Sequence, residues 1–484
     1  MMRWLMLASV MSLTAVAEAA EPAGEKRPNF VIFFTDDQGY NDVGCFGSPQ
    51  IETPRLDRMA AEGMKLTSFY AQIVCGPSRA AIMTGCYPIR VAEPGNEKHP
   101  HTILHSQEVT IAEVLKRRGY ATACIGKWHL AGGDGGSKPR GRGPFPTELM
   151  PNAQGFDYFF GTPLHNGTTR KPRPQQYVTQ LRRNDQVVEE NADMDQLTRR
   201  YTKEAISFIR EHREEPFFLY LAHNMPHVPL GASDRFRGKS PRGLYGDVIS
   251  ELDWSCGEVL DSLAELGLDD DTLVVFTSDN GPWIEKHLGD HGGSAAPLRG
   301  FKMSTWEGGS RVPCIMRWPG KIAAGRTSDE LATTLDLAPT FAALAGAELP
   351  ADHTLDGYDL TAFLTGDAAT ASPREEFLYY AFTHLQAVRD DRWKLVLPRE
   401  ANPPWTSWYG RMIDAVPEVA LYDMLNDPGE EDNVAAQHPD IVANLQQRIT
   451  AAREELGDYN RIGSGARFFD AGPQRPKAAR WQAH

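Results

Sequence analysis

The chain has 484 residues, 41% of them hydrophobic, 10% aromatic and 24% charged, an ordinary globular composition with room for a large domain and a smaller one. Its net charge of −14 repels polyanions and argues against nucleic acid as a partner. No fixed-period repeat and, past the N-terminus, no apolar run long enough to span a bilayer occurs, so solenoid and membrane-embedded classes are set aside.

In chain order, Met1-Met2-Arg3 supplies a positive start, an apolar stretch runs from Trp4 to Ala17, and Ala17-Glu18-Ala19 gives a small-x-small cleavage pattern. These features predict a secretory signal peptide over 1–19. No Cys precedes Cys45, so a lipid-attachment cysteine is absent and no membrane anchor is expected. The mature protein is expected to be periplasmic or secreted. Losing Arg3 with Glu18 leaves the net charge unchanged.

Four short apolar runs then stop abruptly at polar residues. Residues 29–34 stop at Thr35-Asp36-Asp37, and 120–125 at Gly126-Lys127-Trp128-His129. Residues 217–221 stop at Ala222-His223, and 273–277 at Ser278-Asp279-Asn280-Gly281. Continuous hydrophobicity over this length marks strands buried on both faces. Amphipathic stretches at 53–62, 107–118, 194–213 and 246–266 alternate with them and predict helices. The alternation specifies an α/β fold with a large mixed, mostly parallel sheet sandwiched by helices, whose strand ends collect ligands. The Gly-, Pro- and Arg-rich stretch 139–174 reads mostly as loop over that rim. The large domain is placed at 27–367. After it, 376–380, 385–389, 393–396 and 418–422 read as a small antiparallel sheet, with 441–456 as a covering helix. They define a smaller α+β domain at 368–465, followed by a tail at 466–484.

The rim carries the chemistry. Asp36-Asp37 and Asp279-Asn280 offer hard oxygen ligands of the kind Ca²⁺ or Mg²⁺ takes, and adjacent carboxylates repel unless a cation lies between them. No His lies in either cluster, which argues against zinc. Six cysteines (45, 75, 86, 124, 256 and 314) are too few for a disulfide framework, and one or two bridges are left open. A secreted cysteine is ordinarily a disulfide half or an inert thiol. Cys75 differs in its setting: Pro77 and Gly85 frame a short helix that starts beside it, where backbone N–H groups attract an anion. Arg79 lies one turn on.

Cys75-Gly76-Pro77-Ser78-Arg79 resembles the Cys-x-Pro-Ser-Arg signature of the type I sulfatases, in which the Cys is oxidised to formylglycine. The run Gly119-Tyr120-Ala121-Thr122-Ala123-Cys124-Ile125-Gly126-Lys127-Trp128-His129 is similar to the family's second signature. The resemblance extends through His223-Asn224-Met225-Pro226-His227, Ser278-Asp279-Asn280-Gly281, Gly300-Phe301-Lys302 and Leu421-Tyr422-Asp423. It is nearest to the arylsulfatase A-like and N-acetylgalactosamine-6-sulfatase-like members. It implies an alkaline phosphatase-like fold and hydrolysis of a sulfate monoester, on a sulfated carbohydrate, by the geminal diol of formylglycine at position 75. By the same resemblance Asp36, Asp37, Asp279 and Asn280 hold one Ca²⁺ or Mg²⁺, completed by an oxygen of residue 75. Arg79, Lys127 and Lys302 would neutralise the sulfate, and His129 and His227 would handle protons, with His223 in second place. A formylglycine-generating or equivalent maturation enzyme is an implied partner.

Two positions depart from the family pattern. Ile73 stands where a small residue is usual, and His165 where arylsulfatase A-like enzymes offer Ser to the sulfate. A phosphonate monoester or phosphodiester hydrolase of the same superfamily is the enzymatic alternative, and a non-catalytic sulfated-glycan binding protein the other. His99, His101, His105, Trp283 and His287 are further candidates, and the basic runs at 138–142 and 170–173 are candidate glycan contacts.

Overall fold

Phe30, Ile32 and Phe34 point into one apolar core while Val31 and Phe33 point into another, because successive side chains of the strand Asn29–Thr35 leave on opposite faces. This strand is the centre of an 11-stranded sheet in the computed structural model, which describes residues 26–93, 102–133, 143–166, 178–283, 292–403 and 408–467. The expected signal peptide, most of the expected tail, His99, His101, His287 and both basic runs lie outside the described residues.

Asn29–Thr35 pairs in parallel with Thr272–Ser278 on one side and Phe217–Ala222 on the other. Beyond the latter, Ala121–Lys127 and then Tyr158–Thr162 continue in parallel. On the other side Arg311–Arg317 and Met64–Tyr70 join antiparallel, which makes the sheet mixed. The helices Leu197–Glu211 and Gly243–Glu265 pack on one face. Ile111–Arg117, Leu337–Leu344 and Cys75–Thr84 pack on the other.

Three local expectations need correction. The helix expected from 107 begins at Ile111, because Thr110 and Glu113 form a reciprocal capping box that fixes its first turn. The expected loop 139–174 contains the strand Tyr158–Thr162, whose aromatic and Gly residues fit between neighbouring backbones. The strand expected to stop before Gly126 runs on to Lys127. Gly126 has φ +114°, and a Cβ there would collide with the Ala222 carbonyl, so only glycine carries this strand through. All six cysteines are free thiols, which closes the open question of bridges.

Phe377–Ala381, His384–Arg389, Trp393–Val396 and Ala420–Asp423 form a four-stranded antiparallel sheet, covered through Leu445, Ile449 and Ala452 of the helix Pro439–Glu455. A buried polar network ties it to the large sheet. Lys394 Nζ lies 3.1 Å from Glu307 and 2.7 Å from Glu430, while Tyr70 and Tyr379 hydroxyls donate to Glu307 at 2.5 Å. Burial alone would raise the Glu307 carboxyl; Lys394, Arg389 and Arg311 outweigh it and hold it well below the usual range. Lys394→Met is therefore expected to destabilise the fold by about 3–5 kcal/mol, since it leaves two buried carboxylates short of their shared cation. Urea unfolding of the variant measures this directly. No helix among the described residues is long and apolar enough to cross a membrane.

Candidate active site

The parallel register sets Thr35 opposite Ser278, Phe34 opposite Ala222, and Lys127 opposite Thr162. The residues that follow these strand ends therefore share one rim, as the sequence pattern requires of a parallel sheet. Asp36, Asp37, Asp279 and Asn280 are all fully buried there. The Asp37 backbone N–H donates to Asp279 Oδ1 at 3.1 Å, and Asn280 Nδ2 donates to Asp37 Oδ1 at 2.8 Å. Lys127 Nζ lies 2.6 Å from Asp36, and Lys302 Nζ 2.5 Å from Asp37.

The helix Cys75–Thr84 starts at this cluster and ends at Gly85, whose φ of +69° is the left-handed cap that glycine adopts without strain. The Ser78 hydroxyl bonds to the Gln72 and Asp279 carbonyls, which locks the first helical turn to the rim. Gly76 is required by close approach, since a Cβ would strike the Thr102 side chain. Cys75 is 3% exposed, and its Sγ lies 3.3 Å from His129 Nδ1. Burial pushes the thiol above its usual pKa, although Lys127 and Lys302 pull it down. As an unmodified thiol it is a poor nucleophile.

Arg79 is wholly buried under this cluster. Its guanidinium donates to Asp279 at 2.8 Å and to the Lys127 carbonyl at 2.8 Å, and lies 3.8 Å from Asp36. These contacts make it the support of the acidic set and of the residue-75 helix. Asp37, His129 and Met303 all have left-handed backbones, at φ +69°, +59° and +72°. Such strain in non-glycine residues collects at functional sites, where the surroundings enforce it.

The histidines separate clearly. His227 Nε2 lies 3.9 Å from Asp37, and its Nδ1 donates to the Val228 carbonyl, so Nε2 is the nitrogen left to exchange a proton at the rim. Burial, with Lys302 beside it, lowers its pKa to about 4. Asn166 Nδ2 donates to the His227 and Asn224 carbonyls and fixes this loop. His165 stacks on His227 with ring centroids 5.6 Å apart and meets His129 edge-on at 5.7 Å, so the departing position of the sequence lies between the two expected proton carriers. His223 points into the core instead. Its ring lies against Phe33 and Tyr201, Nε2 is 3.3 Å from the Ser255 hydroxyl, and burial lowers it to about 3. Four residues earlier in the same motif, it follows the end of Phe217–Ala222 directly and packs as a neutral core histidine.

The donor set fits a hard divalent cation. Asp36 Oδ1 and Asn280 Oδ1 are buried with no hydrogen-bond partner among the described residues, and ligand atoms of Asp36, Cys75 and Asp279 lie within 4.8 Å of one another. Burial and the nearby Asp36 charge raise Asp279 to about 7, against the pull of Arg79 and Lys127.

Comparison with known proteins identifies the family. The family model described as Sulfatase matches residues 28–347, and one described as N-sulphoglucosamine sulphohydrolase, C-terminal matches 301–455. The chain is 36% identical to arylsulfatase A of Homo sapiens, covering 89% of each chain. It is 33% identical to an N-acetylgalactosamine-6-O-sulfatase of Bacteroides thetaiotaomicron, over 88% of this chain and 93% of that one. A solved Bacteroides thetaiotaomicron structure, described under the metabolism of glycosaminoglycans, superposes with a TM-score of 0.74 at 30% identity, covering 89% of this chain and all of the other.

Proposed function

The chain belongs to the sulfatase family and is a sulfuric ester hydrolase, and from that premise we propose that it releases sulfate from a sulfated carbohydrate, using formylglycine formed from Cys75 and one divalent metal ion. The observation that carries the reading is the meeting, at one buried point, of Cys75, orphaned oxygen donors, three cations and two histidines. Relatives named for a sulfated sugar support the carbohydrate class.

Asp36, Asp37, Asp279 and Asn280 would hold Ca²⁺ or Mg²⁺, which when bound acts as a Lewis acid and lowers the pKa of an oxygen nucleophile beside it. Oxidised residue 75 would present a hydrated aldehyde, whose two hydroxyls serve attack at sulfur and later expulsion of sulfate. The chain's own groups supply the rest. His129, 3.3 Å from the residue-75 side chain, is placed to take a hydroxyl proton. The Lys302 ammonium, beside Asp37, is placed to protonate the departing alkoxide oxygen, and His227 Nε2, which faces the same carboxylate, would deliver a proton there only after first accepting one. Although burial disfavours the charge of Lys302, Asp37 and its neighbours keep it protonated above its ordinary range. Ester and water are thereby converted to alcohol and sulfate.

Charge selects the substrate. Asp36, Asp37 and Asp279 cancel the formal charges of Arg79, Lys127 and Lys302, so a bound divalent ion leaves the pocket cationic by that ion's charge. This suits a singly charged sulfate ester and its sulfate product in a low-dielectric site. Cys75 is almost inaccessible in the folded chain, so the maturation enzyme would act before folding. The apolar start at 1–19 supports export as the route. Comparing kcat/KM for 4-nitrophenyl sulfate and bis(4-nitrophenyl) phosphate tests the reaction class. Preference for the sulfate is expected; a large preference for the diester would overturn the reading in favour of a phosphodiesterase.

A further inference from the structure

The turn that carries Lys302 is a closed block. The Gly308 N–H donates to the Arg299 carbonyl at 2.6 Å, and inside that loop the Ser304 N–H and hydroxyl both donate to the Phe301 carbonyl, at 2.9 and 2.7 Å. Gly309 approaches Ser304 so closely that a Cβ there would overlap the Ser304 carbonyl. Met303 has φ +72°, a left-handed conformation that a non-glycine residue keeps only when its surroundings enforce it. A segment this short and this cross-linked shifts as one piece, so whatever holds one side of it sets the aim of the other.

The inner side faces the site. The Lys302 N–H donates to the Pro282 carbonyl at 3.1 Å and the Met303 N–H to the Ile73 carbonyl at 2.8 Å. The Lys302 ammonium bonds Asp37 at 2.5 Å and lies 5.6 Å from the Trp283 ring centroid. The outer side is held by the C-terminal antiparallel sheet and its connections. Lys394 Nζ donates to the Thr305 carbonyl at 2.9 Å, and the Thr305 hydroxyl donates to Gln386 Oε1 at 2.7 Å. Trp306 Nε1 donates to Asp414 at 2.8 Å, the Glu307 N–H donates to the Glu430 carboxylate at 2.7 Å, and Arg299 donates to the Glu430 carbonyl at 3.1 Å. Met303 also packs in one apolar cluster with Phe382 and Met412. Thr305, Glu307, Gln386, Lys394 and Glu430 are all buried, where a broken hydrogen bond is costly, so these bonds can hold the turn against its strain.

We propose that the C-terminal sheet is a positioning element for the reaction: through Lys394 and Gln386 it holds the 299–308 block so that the Lys302 ammonium is aimed at the leaving oxygen. This rests on the reading above, in which Lys302 protonates that oxygen. Thr305, Gln386 and Lys394 act through Lys302 and not on the reacting atoms.

A misaimed general acid leaves a signature that loss of folded protein does not. 4-Nitrophenolate is a weak base and departs with little help, whereas phenolate needs its proton in the transition state. Misplacing Lys302 therefore costs phenyl sulfate more than 4-nitrophenyl sulfate. A smaller folded fraction, or a weaker hold on the sulfate group that both esters share, costs them equally. The test measures kcat/KM for both esters on full-length, formylglycine-bearing wild type, Thr305→Val, Lys394→Met and Lys302→Ala. Thr305→Val keeps the side-chain shape and removes only the bond to Gln386. Its expected loss is about tenfold on phenyl sulfate and less than about threefold on 4-nitrophenyl sulfate, with the same direction and a wider split in Lys302→Ala. Lys394→Met should split the two esters more than Thr305→Val does; if it does not fold, Thr305→Val alone decides. Equal losses on both esters in Thr305→Val, or no loss on either, would overturn the proposal. An unsplit Lys302→Ala would overturn the role of Lys302 as acid and the proposal with it. A wild type that hydrolyses neither ester would instead count against the sulfatase reading, so the outcomes are distinguishable.

Discussion

Cys75→Ala is expected to lower kcat for every sulfate ester by at least about 10⁴-fold while leaving the fold intact, the scale seen when a covalent nucleophile is deleted. The substitution removes one sulfur from a tightly packed position whose neighbours, His129, Val74 and Trp283, are held by their own elements. Its structural cost is the loss of a small buried group, on the order of 1 kcal/mol. Circular dichroism and a melting curve, run beside a sulfate-release assay, separate the two effects. Retained hydrolysis would exclude residue 75 as nucleophile. Retained binding with no hydrolysis in the wild type as well would favour the binding-protein alternative.

The second large effect concerns the metal. Exhaustive chelation is expected to reduce activity by about 10³-fold or more, with recovery on adding Ca²⁺ or Mg²⁺. Elemental analysis should find one divalent ion per active chain. Asp279→Asn gives the sign of the electrostatics. In the metal-free protein the variant should be at least as stable as the wild type, because burial and Asp36 already disfavour a charge at this position. In the presence of metal the order should reverse, since the variant forfeits a charged ligand and the stabilisation that binding adds. Thermal melting with and without chelator reads both arms. If Asp279→Asn retained full activity and bound its ion as tightly as the wild type, the acidic cluster would not be the metal site.

Much of the fold and site was legible because both follow from local pattern. Asn29–Thr35, Phe217–Ala222 and Thr272–Ser278 read as buried strands from apolar continuity, and their abrupt endings named Asp36, Asp37, Asp279 and Asn280. The helix at Cys75 was framed by Pro77 and Gly85, and its cap obeys that frame. The small C-terminal sheet and its helix lie within a few residues of their expected bounds.

What escaped the sequence depends on direction and on distant partners. His223 and His227 share one motif, and only the end of the strand at Ala222 decides that the first packs against Phe33 and the second reaches Asp37. Arg79 looks like an anion clamp from its spacing, and only the fold shows that its guanidinium also donates to Asp279 and the Lys127 carbonyl. Lys394, Glu307 and Glu430 come from segments far apart in the chain, so no local pattern announces their network. The capping box at Thr110 and Glu113 was available as a T-x-x-E signal and sets the helix start that periodicity placed too early.

The central claim is that residue 75 acts only after oxidation. Purified active protein should be digested and the peptide spanning residue 75 analysed by mass spectrometry, with an aldehyde-reactive hydrazide as a second label. The aldehyde mass, hydrazide capture and a modified fraction that tracks specific activity across preparations are expected. Full activity in protein whose residue 75 is entirely unmodified thiol would contradict the account.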